Sequence, residues 1–537
     1  MKKTVYYNGN IVTMDEENLY AEAVLVEDGH IKLVASKDEV FALADDETEL
    51  VDLNGHTLTP GFIDPHGHVG FNLTYADWAD CRQVFSLFDF KIIPFEEVVE
   101  SLKEWMRSHN IQPGQWVKGW RLVTPPTPIG KAELDPHFPD NPVCILHNSQ
   151  HVISLNSMAL KAIGITKDTP DPYGATFVRD TETGEPTGVL FGSTYFMRLL
   201  PELIQKPEDV DMAKMIEITQ NNYFSNGITT AQEGLTTIPY YEALTEAEKN
   251  GALKMDVVAY MSEKDIDEVV ERGELIVGDL NHKFSIGGLK LIMDGAAEEG
   301  YMTKPLKCTG RCGSLYIQPE DFEAHVRKAI ARGHQIAFHI MGDASGDMVL
   351  DILEKIQNEG VYDVTKMRHI AIHFVYARKD QCERAAKLNM IVSFYSCAVS
   401  LTADRWSATE GIAAGSEICP VKWFTDCGGI QTHHLDSPVL IEDYIYSMWS
   451  AIYRRSQFTG KVFGAQHCLT AYEALKGITL NAAYQFKSEK IKGSLSAGKL
   501  ADMVILNDNP LTCSESDFRN MRVLETIKDG VTVYKRA

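Results

Sequence analysis

The sequence predicts an α/β fold: a (β/α)8 TIM-like barrel with an inserted subdomain after strand 1 and a small β-sandwich domain built from both termini. Three observations lead there. Short apolar runs alternate with longer helical patterns through the middle of the chain. Imidazole and carboxylate side chains recur at the ends of those runs. β-like segments broken by Asn-Gly and Asp-Gly pairs lie at both ends.

Residues 5–8, 11–14, 23–27 and 30–35 alternate in strand-like fashion around Asn8-Gly9 and Asp28-Gly29, and read as hairpins. Residues 501–506 form a continuous apolar run, and 525–534 contain a further turn at Asp529-Gly530. Neither end has enough strands for a stable sheet alone, so residues 1–57 and 491–537 are expected to complete one small β-domain. Residues 58–490 then form the barrel. Its candidate strands are 59–64, 228–232, 257–260, 289–293, 335–339, 369–373, 390–393 and 430–435, which makes eight. Helical patterns at 321–332, 344–358 and 379–387 fall between successive strands, which suits a closed barrel better than an open sheet. No GxGxxG fingerprint favours a dinucleotide-binding alternative. The stretch from His68 to Ile228 is too long for one crossover, so residues 75–210 are assigned to an inserted subdomain at the barrel mouth. It has aromatic-rich and helical pieces at 95–109, 115–121 and 151–163.

A chain of 537 residues, 44% hydrophobic, exceeds one ordinary domain and can supply a large core, which implies a big catalytic domain with appendages. The net charge of -24, with no block of Lys and Arg to follow a phosphate backbone, argues against nucleic acid as a partner. The first ten residues lack an apolar signal core, and no run approaches the roughly 18 to 20 apolar residues that cross a bilayer. A cytoplasmic protein without membrane contact is the expectation. Ten cysteines lie scattered, with Cys308 and Cys312 the one close pair, and read as reduced thiols.

The most specific motif is Thr59-Pro60-Gly61-Phe62-Ile63-Asp64-Pro65-His66-Gly67-His68. Side chains two apart on an extended segment project to the same side, so His66 and His68 can bind one ion together at the catalytic rim of a barrel. His339 and His373 close two later strands, and Asp436 follows the last. Singly, each could be a hydrogen-bonded rim residue. Together the set offers N and O donors suited to zinc or another first-row divalent ion.

Over essentially its whole length the chain resembles the amidohydrolase superfamily, and within it the amidohydrolase 3 group that includes the N-substituted formamide deformylases. Besides the motif above, the resemblance rests on Asn226-Gly227-Ile228-Thr229-Thr230, Lys290 with Asp294-Gly295, and His339 with Gly342-Asp343. Further on it rests on Arg368-His369 before His373, Asp436 with Pro438-Val439, Gly493-Ser494-Leu495, and Gly498-Lys499-Leu500-Ala501-Asp502.

The resemblance implies two divalent metal ions, zinc first among them. His66 and His68 would bind one, His339 and His373 the other, with a carboxylated Lys290 as the bridging ligand and Asp436 as general acid/base. An unmodified lysine on an apolar strand beside two cations would be costly, although Asp294 or Glu233 could instead neutralise it, and Asp436 could merely orient a ligand histidine. The implied activity is an amidohydrolase, a hydrolase that cleaves a non-peptide C–N bond in a linear amide, N-acyl or N-formyl group by metal-activated hydroxide. The alternatives are a mononuclear deaminase or cyclic amide hydrolase of the same superfamily, and a catalytically silent regulatory homologue. Retention of all six metal-site residues speaks against the last. The expected partner is a small-molecule substrate, and homo-oligomers are common among large barrel enzymes.

In the insert, His151 stands before Asn156-Ser157-Met158-Ala159-Leu160 at the group's separation and is a candidate substrate contact, with Trp116, Trp120 and Tyr173 as possible pocket lining or as local core. Three positions depart from the group's pattern. His434-Leu435 stands where Gly-Ser commonly precedes the last-strand aspartate, Ile372 where an acidic residue often precedes the sixth-strand histidine, and Gly192 where a glutamate is usual. These departures alter the surroundings of the ligands while leaving the ligands themselves.

Overall fold

Eight buried segments pair side by side in parallel, and their order in space is their order in the chain. They are β1 (Phe62–Asp64), β2 (Ile228–Thr236), β3 (Asp256–Met261), β4 (Phe284–Ile292), β5 (Gln335–Ile340), β6 (Ile370–His373), β7 (Ile391–Phe394) and β8 (Ile430–His433). The computed structural model describes residues 2–81, 86–89, 93–122, 129–147, 152–172, 175–191, 204, 210–272, 282–296, 299–307 and 309–537. The strands are near-continuously buried, as a parallel sheet covered on both faces requires. Helices Ile238–Lys249, Glu263–Glu271, Pro319–Ala331, Asp343–Glu359 and Lys379–Lys387 follow β2 to β6 in turn, giving the nearly closed TIM-like barrel that the alternation predicts.

The barrel core gathers Ile63, Val258, Tyr260, Ala337, Ile370, Ile372, Ala482, Ala483 and Phe486. Gln485 is a polar peg within it. Its Nε2 donates to the carbonyl of Pro65 at 2.7 Å, and its Oε1 accepts from the Thr432 hydroxyl at 2.9 Å. The peg ties the residue before His66 to β8. Gln485→Ala would leave both partners buried and unpaired, so the urea midpoint should fall by the equivalent of about 1–3 kcal/mol. An unchanged midpoint would show that the peg contributes nothing.

The termini build one continuous eight-stranded sheet. Lys3–Val12, Tyr20–Glu27, His30–Ala35, Glu49–Asp52 and Thr57–Pro60 come from the start, and Met503–Leu506, Val523–Lys528 and Val531–Lys535 from the end. The seam is Thr57–Pro60 against Met503–Leu506, with Thr59 opposite Val504. The run 59–64 is therefore two strands, and only Phe62–Asp64 belongs to the barrel. Gly61 marks the crossing: a Cβ there would meet the Thr229 side chain at 2.5 Å.

Asp28-Gly29 and Asp529-Gly530 turn hairpins with both residues at positive φ, as a type I′ turn needs. Asn8-Gly9 does not. It lies inside Lys3–Val12 as an irregularity, where the register against Tyr20–Glu27 shifts between Tyr7 and Ile11. An Asn at φ 59° followed by Gly fits a bulge as well as a turn, and here the continuing pairing decides.

The sheet and barrel pack as one unit, residues 1–70, 220–436 and 442–537. At their junction Lys528 pairs with Asp502 at 3.0 Å and with Asp256 at 3.1 Å, and Lys492 donates to Thr230 at 3.0 Å.

The second unit comprises residues 71–219 with 437–441. Its six-stranded sheet runs Thr176–Arg179, Pro186–Phe191, Val152–Leu155, Val143–His147, Val117–Leu122, Ala79–Asp80. Helix Phe95–Ser108 forms where its amphipathic pattern lies, but Val117–Leu122 and Val152–Leu155 are strands, where the sequence suggests helical or aromatic-rich pieces. Buried neighbours on both sides override the local pattern. Helix Ser157–Ala162 starts only after Asn156, whose side chain accepts the Ala159 amide at 2.9 Å. Among the described residues no helix is long and apolar enough to cross a membrane, and the described cysteines are free thiols, while Cys308 lies outside them.

Candidate metal centre

The centre grows from the carboxyl end of β1. Asp64 accepts the His66 backbone amide at 3.1 Å and the Tyr444 hydroxyl, fixing the turn through Pro65. Burial pushes its carboxyl up to about 7. Beyond the turn His66 is fully buried, with room made by Gly234, where a Cβ would stand 2.6 Å from the imidazole Cε1.

His66 Nδ1 lies 2.5 Å from the side-chain oxygen of Gln232 on β2. An amide oxygen only accepts, so Nδ1 carries the proton and Nε2 presents a lone pair to the barrel axis. That Nε2 lies 3.3 Å from Asp436 Oδ1 and 3.4 Å from Lys290 Nζ. His68 Nε2 is 3.4 Å from the same Asp436 oxygen, and the His68 backbone bridges to Glu233.

Lys290 comes from β4. Its hydrogen-bonding neighbour among the described residues is His66, and burial lowers its ammonium to about 8 against the pull of Asp436 and Glu233. The carboxylates that could have neutralised it are engaged elsewhere. Asp294 accepts the amides of Tyr301, Met341 and Gly342 at 2.8 to 3.0 Å and the Ser345 hydroxyl at 2.7 Å. Glu233 accepts the amides of Gly70 and Leu235.

His339 at the end of β5 turns its Nδ1 toward Asp294, 3.4 Å away, and stacks edge to face with His373 at 4.6 Å between ring centres. His373 and Asp436 sit at φ 72° and 56°. Left-handed backbone costs a non-glycine residue about 1–2 kcal/mol, and strain of this kind gathers at functional sites.

The donor atoms of His66, His373 and Asp436 all lie within 4.8 Å of one another. All six residues expected from the sequence thus meet in one cluster. Burial, reinforced by the Lys290 ammonium, holds the His66 imidazole neutral, down to about 3. Burial pushes the Asp436 carboxyl up, but the surrounding imidazoles hold it well below the ordinary range, so it is ionised. His66 Nε2 stands 3.3 Å from a carboxylate oxygen of Asp436 and 3.4 Å from Lys290 Nζ, and His373 Nδ1 has no hydrogen-bond partner among the described residues. Buried nitrogen and oxygen donor atoms converging in this way fit a divalent cation.

Gln232 and Tyr395 are not marked in the sequence as parts of the site, and Asp294 and His434 are marked only as a motif residue that could neutralise Lys290 and as a departure from the group's pattern, respectively. Gln232 fixes His66 through Nδ1, as outer partners of ligand histidines commonly do, and Asp294 lies 3.4 Å from His339 Nδ1. Tyr395 stacks on His434 at 5.2 Å, and the His434 ring lies 5.1 Å from His66 and 4.8 Å from His373. The spacing His434-Leu435-Asp436 repeats the two-residue interval of His66 and His68, a signal present in the sequence. Ile372, by contrast, packs in the barrel core.

His151, Tyr173 and Gly192 lie outside the described residues. Trp120 packs with Tyr75 and Trp78 in the core of the second unit, with Trp116 against that cluster. Both tryptophans serve the packing of that unit.

A sequence profile described as the amidohydrolase family matches residues 49–534. An N-substituted formamide deformylase of Arthrobacter pascens is 28% identical over 560 aligned residues, covering 100% of this chain and 99% of the relative. A Bacillus subtilis (strain 168) protein provisionally named amidohydrolase YtcJ is 26% identical, with 100% of both chains covered. Among solved structures, an uncharacterized metal-dependent hydrolase from Pyrococcus horikoshii OT3 superposes with a TM-score of 0.73 at 22% identity, covering 96% of this chain and 99% of that one, a likeness of fold.

Proposed function

The chain belongs to the amidohydrolase family, hydrolases acting on carbon–nitrogen bonds other than peptide bonds, and on that premise we propose a metal-dependent hydrolase of a linear amide, N-acyl or N-formyl compound. His66, His68, His339, His373 and Asp436, with a carboxylated Lys290 between them, would hold two divalent ions, zinc first among the candidates. The observation that carries this reading is the convergence of the His66, His373 and Asp436 donor atoms within 4.8 Å of one another, with His68 Nε2 3.4 Å from the same carboxylate oxygen. The N-formyl option draws support from the deformylase relative.

Bound divalent ions supply Lewis acidity, polarising a carbonyl and bringing the pKa of water toward neutrality. The chain's own groups do the rest. Asp436 accepts a proton from the water that attacks the carbonyl carbon. It then returns that proton to the nitrogen as the C–N bond breaks, so a carboxylic acid and an amine leave with one water consumed. Gln232 holds His66 in the tautomer that offers Nε2, and Asp294 stands beside Nδ1 of His339.

Lys290 suits carboxylation because carbon dioxide reacts with a neutral amine. With its pKa near 8 about one molecule in ten is neutral at pH 7, against about one in three thousand for a lysine of ordinary pKa. The proton released on forming the carbamate leaves an anion in place of a buried cation.

Dialysis against a strong chelator should abolish turnover of N-substituted formamides, N-acyl amines or linear amides, whichever of these panels the enzyme accepts, and added Zn2+, Co2+ or Mn2+ should restore it. Turnover that survives complete removal of metal would contradict the reading.

A further inference from the structure

His434 is an imidazole of the cluster outside the set of expected ligands. It is fully buried just beyond β8, and neither ring nitrogen has a hydrogen-bond partner among the described residues. An imidazole with both nitrogens bare in a protein interior is costly unless something else meets them. One face is covered by Tyr395, nearly parallel at 24°, which fixes the ring plane. The ring meets His66 and His373 at interplanar angles of 73° and 60°.

Its spacing is compatible with that of a ligand. A zinc–nitrogen bond of about 2.05 Å puts the ring centre about 3.2 Å from the ion, so two imidazoles on one ion stand about 4.5 Å apart at a right angle and about 5.2 Å apart at the tetrahedral angle. His434 lies 4.8 Å from His373 and 5.1 Å from His66, close enough to share an ion with either one of them. The expected ligand pairs show 5.3 Å for His66 with His68 and 4.6 Å for His339 with His373.

We propose that His434 is a further protein ligand of the metal centre, a fifth imidazole placed between the two histidine pairs. The inference rests on the metal-centre reading given above. An added imidazole occupies a coordination position that would otherwise be open to water and holds the metal more tightly.

The test is a Co2+ titration of metal-free wild-type protein and of His434→Ala, followed by visible absorption, with folding checked by circular dichroism. The variant should bind Co2+ more than about 100-fold more weakly, beyond the 10- to 100-fold that losing an outer partner costs, and its ligand-field bands should shift. Free imidazole added to His434→Gly should restore both affinity and spectrum by filling the lost ring's place. Where His434→Ala does not fold, His434→Gln gives the same comparison. A variant with an unchanged spectrum and a loss within that limit overturns the ligand role and leaves the metal centre standing. Wild-type protein that binds no Co2+ overturns both.

Discussion

Asp436→Asn should lower kcat by about 100- to 10,000-fold, the usual contribution of a positioned general acid–base group, while metal content stays close to that of the wild type. Asparagine keeps the shape and one ligating oxygen of Asp436 but cannot take a proton. Four histidines and Lys290 remain to hold the ions. The loss should fall on kcat with little change in KM, because proton transfer is needed only as the C–N bond is made to break. Steady-state kinetics beside elemental analysis would read both. A kcat within a few-fold of wild type would leave Asp436 as an orienting group, with the proton carried by something else.

Lys290→Ala should remove activity by more than the 10- to 100-fold that losing an outer partner of a metal ligand costs, and should lower metal content with it. The specific expectation is rescue. A short carboxylate such as formate or acetate can enter the space left by the side chain and supply the bridging oxygens, so it should restore both metal and turnover. Lys290→Arg, which keeps a cation and cannot form the carbamate, should be neither active nor rescued. If Lys290 acts only as an ammonium, the outcome reverses: arginine retains partial function and carboxylates do nothing.

Much of the barrel was legible because a parallel sheet buried on both faces writes its strands as short apolar runs, and those runs end where metal-ligating side chains can begin. The six expected residues fall together for that reason. What was not legible depends on partners distant in the chain. Thr59 looks like the start of the first barrel strand until Met503–Leu506 pairs with it. Asn8-Gly9 carries a turn's composition, and only its continuing register with Tyr20–Glu27 makes it a bulge. Val117–Leu122 and Val152–Leu155 are too short for periodicity to separate strand from helix.

The site's outer partners were hidden in the same way. Gln232 is an ordinary strand glutamine until the fold sets it 2.5 Å from His66, and Tyr444 reaches Asp64 across 380 positions of sequence. His434 was visible as a departure from the family pattern, and what the structure adds is where its ring stands. Burial alone could not have told it from His433, which bonds to the Ser396 hydroxyl at 2.8 Å instead of joining the cluster.

The central claim is that these converging donors hold metal, and the most direct measurement is the metal content of the purified chain, by elemental analysis, beside that of His66→Ala. About two divalent ions per chain in the wild type, with a clear deficit in the variant, is the predicted result. A folded wild-type protein that retains no divalent ion after incubation with zinc and bicarbonate, or a variant that retains as much as the wild type, would contradict it.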